Sequence, residues 1–168
     1  MGLKWKVTLA ILAVLGYGGW VIAELNTNVG YAPEQPLPFS HKIHAGDNKI
    51  PCLYCHAPAE KGRHATVPPM NVCMGCHKSV AVTKENVVKL AAAYKADTAV
   101  AWVRVHALPD FTYFSHRWHL AKGIACQTCH GPVETMEKVV QVQKLNMGWC
   151  VDCHRQNKAS IECITCHN

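Results

Sequence analysis

Ten cysteines fall into five Cys-x-x-Cys pairs, and a histidine follows each pair at once. The groups are Cys52/Cys55/His56, Cys73/Cys76/His77, Cys126/Cys129/His130, Cys150/Cys153/His154 and Cys163/Cys166/His167. Zinc sites also use Cys-x-x-Cys, and an even cysteine count suits a disulfide framework, but neither requires the adjacent histidine. With eleven histidines in 168 residues, five such coincidences have a chance probability on the order of one in a million. C-x-x-C-H is the attachment signature of c-type haem. The two thiols add across the porphyrin vinyl groups as thioethers, and the histidine reaches the iron through its imidazole. Five covalent haems c are therefore expected.

Two more pairs of histidines stand just upstream of such motifs. FSHKIH ends at His44, seven residues before CLYCH, and FSHRWH ends at His119, six residues before CQTCH. Downstream the parallel continues, with Met70-Asn71-Val72 before CMGCHK and Met147-Gly148-Trp149 before CVDCHR. The chain thus reads as a duplicated two-haem module with a fifth motif, CITCH, at its end. Histidines three apart on a helical turn project from one face. The two axial positions of an iron lie on opposite sides of its ring, so such a pair cannot serve one iron. It can serve two, and His41 with His44, like His116 with His119, is expected to tie two haems to one turn of backbone.

Five six-coordinate haems need ten axial ligands, and the motif and repeat histidines supply nine. His64, His106, Met70, Met136 and Met147 are the candidates for the tenth, with an open coordination position as the alternative. A methionine ligand would raise the potential of its haem above its bis-histidine neighbours.

The residues between these motifs are the elements that must position them. MGLKWKVTLAILAVLGYGGWVIAELN begins with Lys4 and Lys6, and an uncharged run from Val7 to Ala23 ends at Glu24. As a helix that run is roughly 26 Å long, at the short end for a bilayer span. Trp5, Tyr17 and Trp20 suit the two interfaces, and the lysines orient the N-terminus to the cytoplasm with the remainder outside. The expectation is a retained transmembrane anchor at 1–25. A secretory signal cleaved after Ala23 is the rival. Gly16, Gly19 and Ala23 share a face on which another membrane helix can pack. Residues 26–38, with YAPEQPLP at their end, are expected to be an extended linker. The haem domain then occupies 39–168, as module one at 39–80, a connecting amphipathic helix at 84–97 carrying Val87, Val88, Ala91, Ala92 and Lys95, and module two at 111–168. Val100–Leu108 is helical or extended, and Pro109-Asp110 makes a turn. The motifs leave little room for long elements elsewhere.

The formal charge of +6 would suit nucleic acid or an anionic surface. Two propionates on each haem bring the total to roughly +1 with ferric irons and roughly −4 with ferrous. The basic excess balances propionates, and no nucleic-acid partner is expected.

FSHKIH…CLYCH, VPPMNVCMGCHK, LPDFTYFSHRWH…CQTCHG and NMGWCVDCHR together resemble the pentahaem cytochrome c subunit of alternative complex III, a bacterial quinol-oxidising membrane complex. Related modules occur in haem subunits of molybdopterin-type oxidoreductases. The F-x-H-x-x-H arrangement is also similar to small class III multihaem cytochromes. The resemblance covers about Phe39 to His167, with the anchor in place. It implies a multihaem cytochrome c fold, mostly α-helical and irregular, with a haem-packed core and one N-terminal transmembrane helix. The class III pattern pairs His41 with His56, His44 with His77, His116 with His130 and His119 with His154. It leaves His167 for the tenth ligand, which the resemblance assigns to Met147.

The implied role is electron transfer without catalysis of its own, on the periplasmic side of the bacterial cytoplasmic membrane. The implied partners are iron–sulfur and quinol-oxidising membrane subunits and a monohaem cytochrome c or terminal oxidase. The alternatives are a membrane-anchored multihaem quinol dehydrogenase feeding a periplasmic reductase, a haem enzyme reducing nitrogen or sulfur oxyanions, and a soluble shuttle.

Overall fold

The computed structural model describes residues 2–25 and 27–167, without the side chains of Glu24 and Leu25. Met1 of the expected anchor, Asn26 of the linker and Asn168 of module two lie outside the described residues, as does the Glu24 side chain expected to end the apolar run.

Helix α1 spans Leu3–Leu25, longer than the uncharged run because its first turns include Lys4 and Lys6. Its 23 residues rise about 35 Å, enough for a hydrocarbon core of about 30 Å. None of the Leu3–Ala23 stretch is buried against the rest of the chain. A Cβ on Gly16 or Gly19 would meet nothing within 4 Å. An apolar helix with no partner in its own chain needs another medium around it, a bilayer or a second helix.

The following segment is extended, but it is not a free spacer. Gly30 donates its N–H to the Gln141 carbonyl at 2.8 Å, and Gln141 returns one to Tyr31 at 3.0 Å. The Gln141 side chain is 2% exposed and donates to the carbonyls of Thr27 and Gln143, both at 3.0 Å. Gln35 exchanges two hydrogen bonds of 2.9 Å with the backbone of Val103. Proline keeps the segment extended, and these contacts fasten it to residues far along the sequence.

Short helices carry the motifs: α2 Cys52–Cys55, α3 Met70–His77, α4 Glu85–Lys95, α5 His116–Ala121, α6 Cys126–His130, α7 Met147–Gln156 and α8 Cys163–Cys166. A π-helical turn at Lys42–Asp47 and 3₁₀ turns at Ala57–Glu60 and Val133–Thr135 complete the order. Pro51 and Pro69 are extended just before α2 and α3, where a missing N–H interrupts no helical bond. Asn146 caps α7, its side-chain oxygen accepting the Trp149 N–H at 2.9 Å.

Of these short helices α4 alone carries no motif. Glu85 in its first turn and Lys95 in its last complement the helix dipole. Its inward face runs through Val87, Leu90 and Ala91, with Leu90 buried and Val88 52% exposed. The packed stripe is therefore rotated from the expected one, which omitted Leu90. Residues 100–104 have no helix, so the helix-or-extended alternative resolves as non-helical. The Thr112 N–H closes the expected turn on the Pro109 carbonyl at 2.9 Å.

Among the described residues there is no strand, only an isolated bridge between Thr112 and His167. The buried apolar side chains among them are Ala59, Met74 and Leu90. A chain of this length ordinarily buries most of its apolar surface against itself. Here the motif cysteines and histidines are half-buried or exposed in the protein alone.

Candidate haem sites

Each Cys-x-x-Cys pair occupies one helical turn, which brings residues i and i+3 to one side. All ten cysteines are free thiols, so no disulfide framework forms. Among the described residues no three His, Cys, Asp or Glu side chains converge to hold a bare metal ion.

The imidazoles meet in pairs. Ring centroids of His41 and His56 are 6.5 Å apart with planes 8° from parallel, and those of His116 and His130 are 6.3 Å apart, also at 8°. His44 and His77 stand 6.1 Å apart at 67°, and His119 and His154 stand 6.1 Å apart at 44°. Two imidazoles bound through Nε2 to opposite sides of one iron have centroids about 6.2 Å apart, given metal–nitrogen bonds near 2 Å. All four pairs have the spacing that a shared iron requires. The recurrence of parallel planes in one pair of each module and angled planes in the other follows the duplication.

Hydrogen bonding sets which nitrogen is free. Nδ1 of His44 donates to the Ser40 carbonyl at 2.8 Å, and Nδ1 of His119 to the Ser115 carbonyl at 2.8 Å, the same contact in both modules. His56 donates to Thr66 at 2.6 Å, His77 to Val80 at 3.0 Å, His116 to Arg63 at 2.6 Å, His154 to Ser160 at 2.6 Å and His167 to Phe111 at 3.3 Å. A carbonyl can only accept, so Nδ1 carries the proton and Nε2 keeps its lone pair for a metal. Phe39 stacks on His44 with centroids 4.3 Å apart, and Phe114 lies 4.6 Å from His119, so the phenylalanines of the repeats fix the ring orientations.

His41 and His130 differ from the others. His41 Nδ1 is buried without a partner. Burial first, then the His56 and His44 imidazoles, push the His41 ring down to about 4. Burial, then His106, His116 and His56, likewise push His130 down to about 4. Both rings are therefore neutral at neutral pH, the form that binds a metal.

His167 has no imidazole at ligand spacing among the described residues. Phe111 stacks on it at 5.9 Å and accepts its Nδ1 proton, so Phe111 backs the side of the ring away from Nε2. Met147 lies at the start of α7, 69% exposed. His106 is half-buried with its ring edge-on to His130 at 4.4 Å, which places it beside a different site. Met136 offers its carbonyl to Lys42. Met70 opens α3 beside Tyr94 and Trp102 in a shallow surface pocket, and His64 is exposed.

The contacts between modules escaped the sequence reading. Lys42 N–H donates to the Met136 carbonyl at 3.0 Å, and Arg117 N–H donates to the Gly62 carbonyl at 3.1 Å. Lys42 and Arg117 are equivalent in the repeat, as are Gly62 and Met136. The π-turn of module one rests on the 3₁₀ turn of module two, and α5 of module two rests on the 3₁₀ turn of module one. The available signal was the extension of the repeat past the histidine, Ala-Pro-Ala-Glu after His56 and Gly-Pro-Val-Glu after His130. Arg63 adds to the second contact, stacking its guanidinium 3.9 Å over Tyr113 and donating to the Phe114 carbonyl at 3.3 Å.

Residues 112–168 match the family model described as "Cytochrome c7 and related cytochrome c". Along nearly the whole chain there is similarity to the "Menaquinone reductase, multiheme cytochrome c subunit" of Nitratidesulfovibrio vulgaris. The identity is 27% over 186 aligned positions, covering 95% of this chain and 87% of that relative. Imidazole pairs at iron-binding spacing, free motif cysteines, short helices without strands and a match through the C-terminal third agree. The C-terminal part is a cytochrome c7-like multihaem domain, and the fold class is that of the multihaem cytochromes c, mostly helical, with one apolar N-terminal helix.

Proposed function

We propose that this chain conducts electrons through five covalently bound haems c, as the multihaem subunit of a quinone-linked membrane complex. The observation that carries the reading is the set of four imidazole pairs with centroids 6.1 to 6.5 Å apart. Cys52, Cys55, Cys73, Cys76, Cys126, Cys129, Cys150, Cys153, Cys163 and Cys166 would hold the porphyrins as thioethers. The pairs His41/His56, His44/His77, His116/His130 and His119/His154 would each hold one iron, and His167 would hold the fifth, with Met147 as its second ligand. When bound, each haem iron carries one electron by alternating between ferric and ferrous states. The chain's own residues orient His44, His56, His77, His116, His119, His154 and His167 through Nδ1 and half-bury His41 and His130.

Helix α1 is read as a single-pass anchor in a bacterial cytoplasmic membrane, with Lys4 and Lys6 inside and the haem domain on the periplasmic side. Neighbouring iron–sulfur and quinone-reactive membrane subunits complete the complex. The relative is named for reduction of menaquinone, which supports delivery of electrons to quinone as a second reading. Quinol oxidation feeding a monohaem cytochrome c or terminal oxidase, as in alternative complex III, is the first. A row of haems serves either direction, and the potentials of its partners set which.

Purification from membranes in mild detergent tests the assignment. Under this reading the chain elutes in a large complex containing an iron–sulfur subunit, and the isolated chain neither oxidises quinol nor reduces quinone. Quinol oxidation by the isolated chain would instead make it a self-sufficient quinol dehydrogenase.

A further inference from the structure

Resting on the haem reading above, we propose that the five attachment sites form one unbranched row in the order His77, His56, His130, His154, His167. A local two-fold axis lies between His56 and His130. Chain order and spatial order therefore differ in the first module, and the two ends of the row are CMGCHK and CITCH.

Each link in the row has its own contact. Between His77 and His56 the link is the single turn that carries His44 and His41, whose rings stand opposite those two histidines. The turn carrying His116 and His119 joins His130 to His154 in the same way. One turn of helix keeps the two histidines of such a pair on one face, with Cβ atoms about 5–6 Å apart.

His56 and His130 are joined by the reciprocal packing of the modules. His116 stands opposite His130, yet its N–H and Nδ1 both donate to the Arg63 carbonyl just beyond His56, at 3.3 and 2.6 Å. Arg117 N–H donates to the Gly62 carbonyl, and at the equivalent repeat positions the turn bearing His41 donates from Lys42 to Met136, just beyond His130. At Gly46, in that turn, a Cβ would collide with the Glu134 carbonyl oxygen. At the centre the half-buried Cys126 thiol lies beside that of Cys52.

At the far end, His154 donates to the Ser160 carbonyl at 2.6 Å, and the Ser160 hydroxyl lies 2.9 Å from Thr165 inside CITCH. Cys150 is near Cys166. Tyr113 donates to the Cys166 carbonyl at 2.6 Å, returning the fifth site to the chain just before His116. At the other end α3 packs on α4, which carries no motif. The two ends of such a row are the His77 and His167 sites, and these are where partners would exchange electrons.

Removal of single sites from the full-length, haem-loaded chain tests the order. Cys73→Ser/Cys76→Ser and Cys163→Ser/Cys166→Ser each delete an end, and Cys126→Ser/Cys129→Ser deletes an interior site. Haem number comes from intact mass, and neighbours from spin–spin coupling between ferric haems in electron paramagnetic resonance. The row predicts that either end variant keeps four haems and alters the coupling of one of them, while the interior variant alters two. The two end variants suffice if the interior one does not fold. An end variant that alters two or more haems overturns the order while leaving five haems intact. Fewer than five haems in the parent chain removes the underlying haem reading, and the row with it.

Discussion

Replacing His116 with alanine is expected to convert one haem from six-coordinate low-spin to five-coordinate high-spin, about one fifth of the total. His116 stands 6.3 Å from His130 with near-parallel planes, and its Nδ1 is tied to Arg63. Alanine removes the only imidazole at ligand spacing from His130 on that side. The CQTCH thioethers and His130 remain, so the haem should stay attached. Absorption and electron paramagnetic resonance spectra would register the new high-spin ferric signal, and the ferrous protein would gain carbon monoxide binding at one site. His106→Ala is the matched control. His106 approaches His130 edge-on at 4.4 Å, so its removal should leave the spin state unchanged. A high-spin haem in H106A with none in H116A would reverse the assignment.

The second large effect is expected at Gly46. Valine there would drive two methyl groups into the backbone around the Glu134 carbonyl, where even a Cβ does not fit. A backbone carbonyl cannot swing aside as the tip of a long side chain can. The π-turn would lift from the 3₁₀ turn of module two and carry His41 and His44 with it. Overpacking in a well-packed contact costs roughly 1–3 kcal/mol. For a chain of this size that amounts to about 2–4 °C of melting temperature per kcal/mol. Thermal unfolding of haem-loaded G46V should show this loss, together with altered spectra at the two sites served by His41 and His44. The equivalent repeat position is Ala121, where the chain already carries a Cβ. An unchanged melting temperature in G46V would mean that the modules do not lock through this turn.

Local chemistry made much of this protein legible in its sequence. C-x-x-C-H and F-S-H-x-x-H each act through residues a few positions apart, and the helical turn converts that spacing into geometry. The meeting of His41 with His56 and of His119 with His154 was implied by a family pattern, and the rings stand at the corresponding distances. Contacts made across 53 to 114 residues left at most a faint signature, the extension of the repeat past each motif histidine. YAPEQPLP reads as a spacer because the partners of its Gln35 and of its flank, Val103 and Gln141, lie far along the chain. The anchor is Gln141, a polar residue that only its burial makes significant. Helix α4 was expected in the right place, but several apolar registers fit it, and contact with α3 selected the one through Leu90. The partner of His167 was hard to read for a different reason. A methionine or histidine ligand needs only one correctly placed atom, and nothing in residue spacing distinguishes it from a side chain that merely packs.

Intact-mass spectrometry of the protein matured in a host that attaches haem c tests the central claim most directly. The account predicts the polypeptide plus five haem masses, resistant to acid-acetone extraction, because all ten motif cysteines form thioethers. A chain carrying fewer than five covalent haems, or one holding disulfides or zinc at these cysteines, would contradict it.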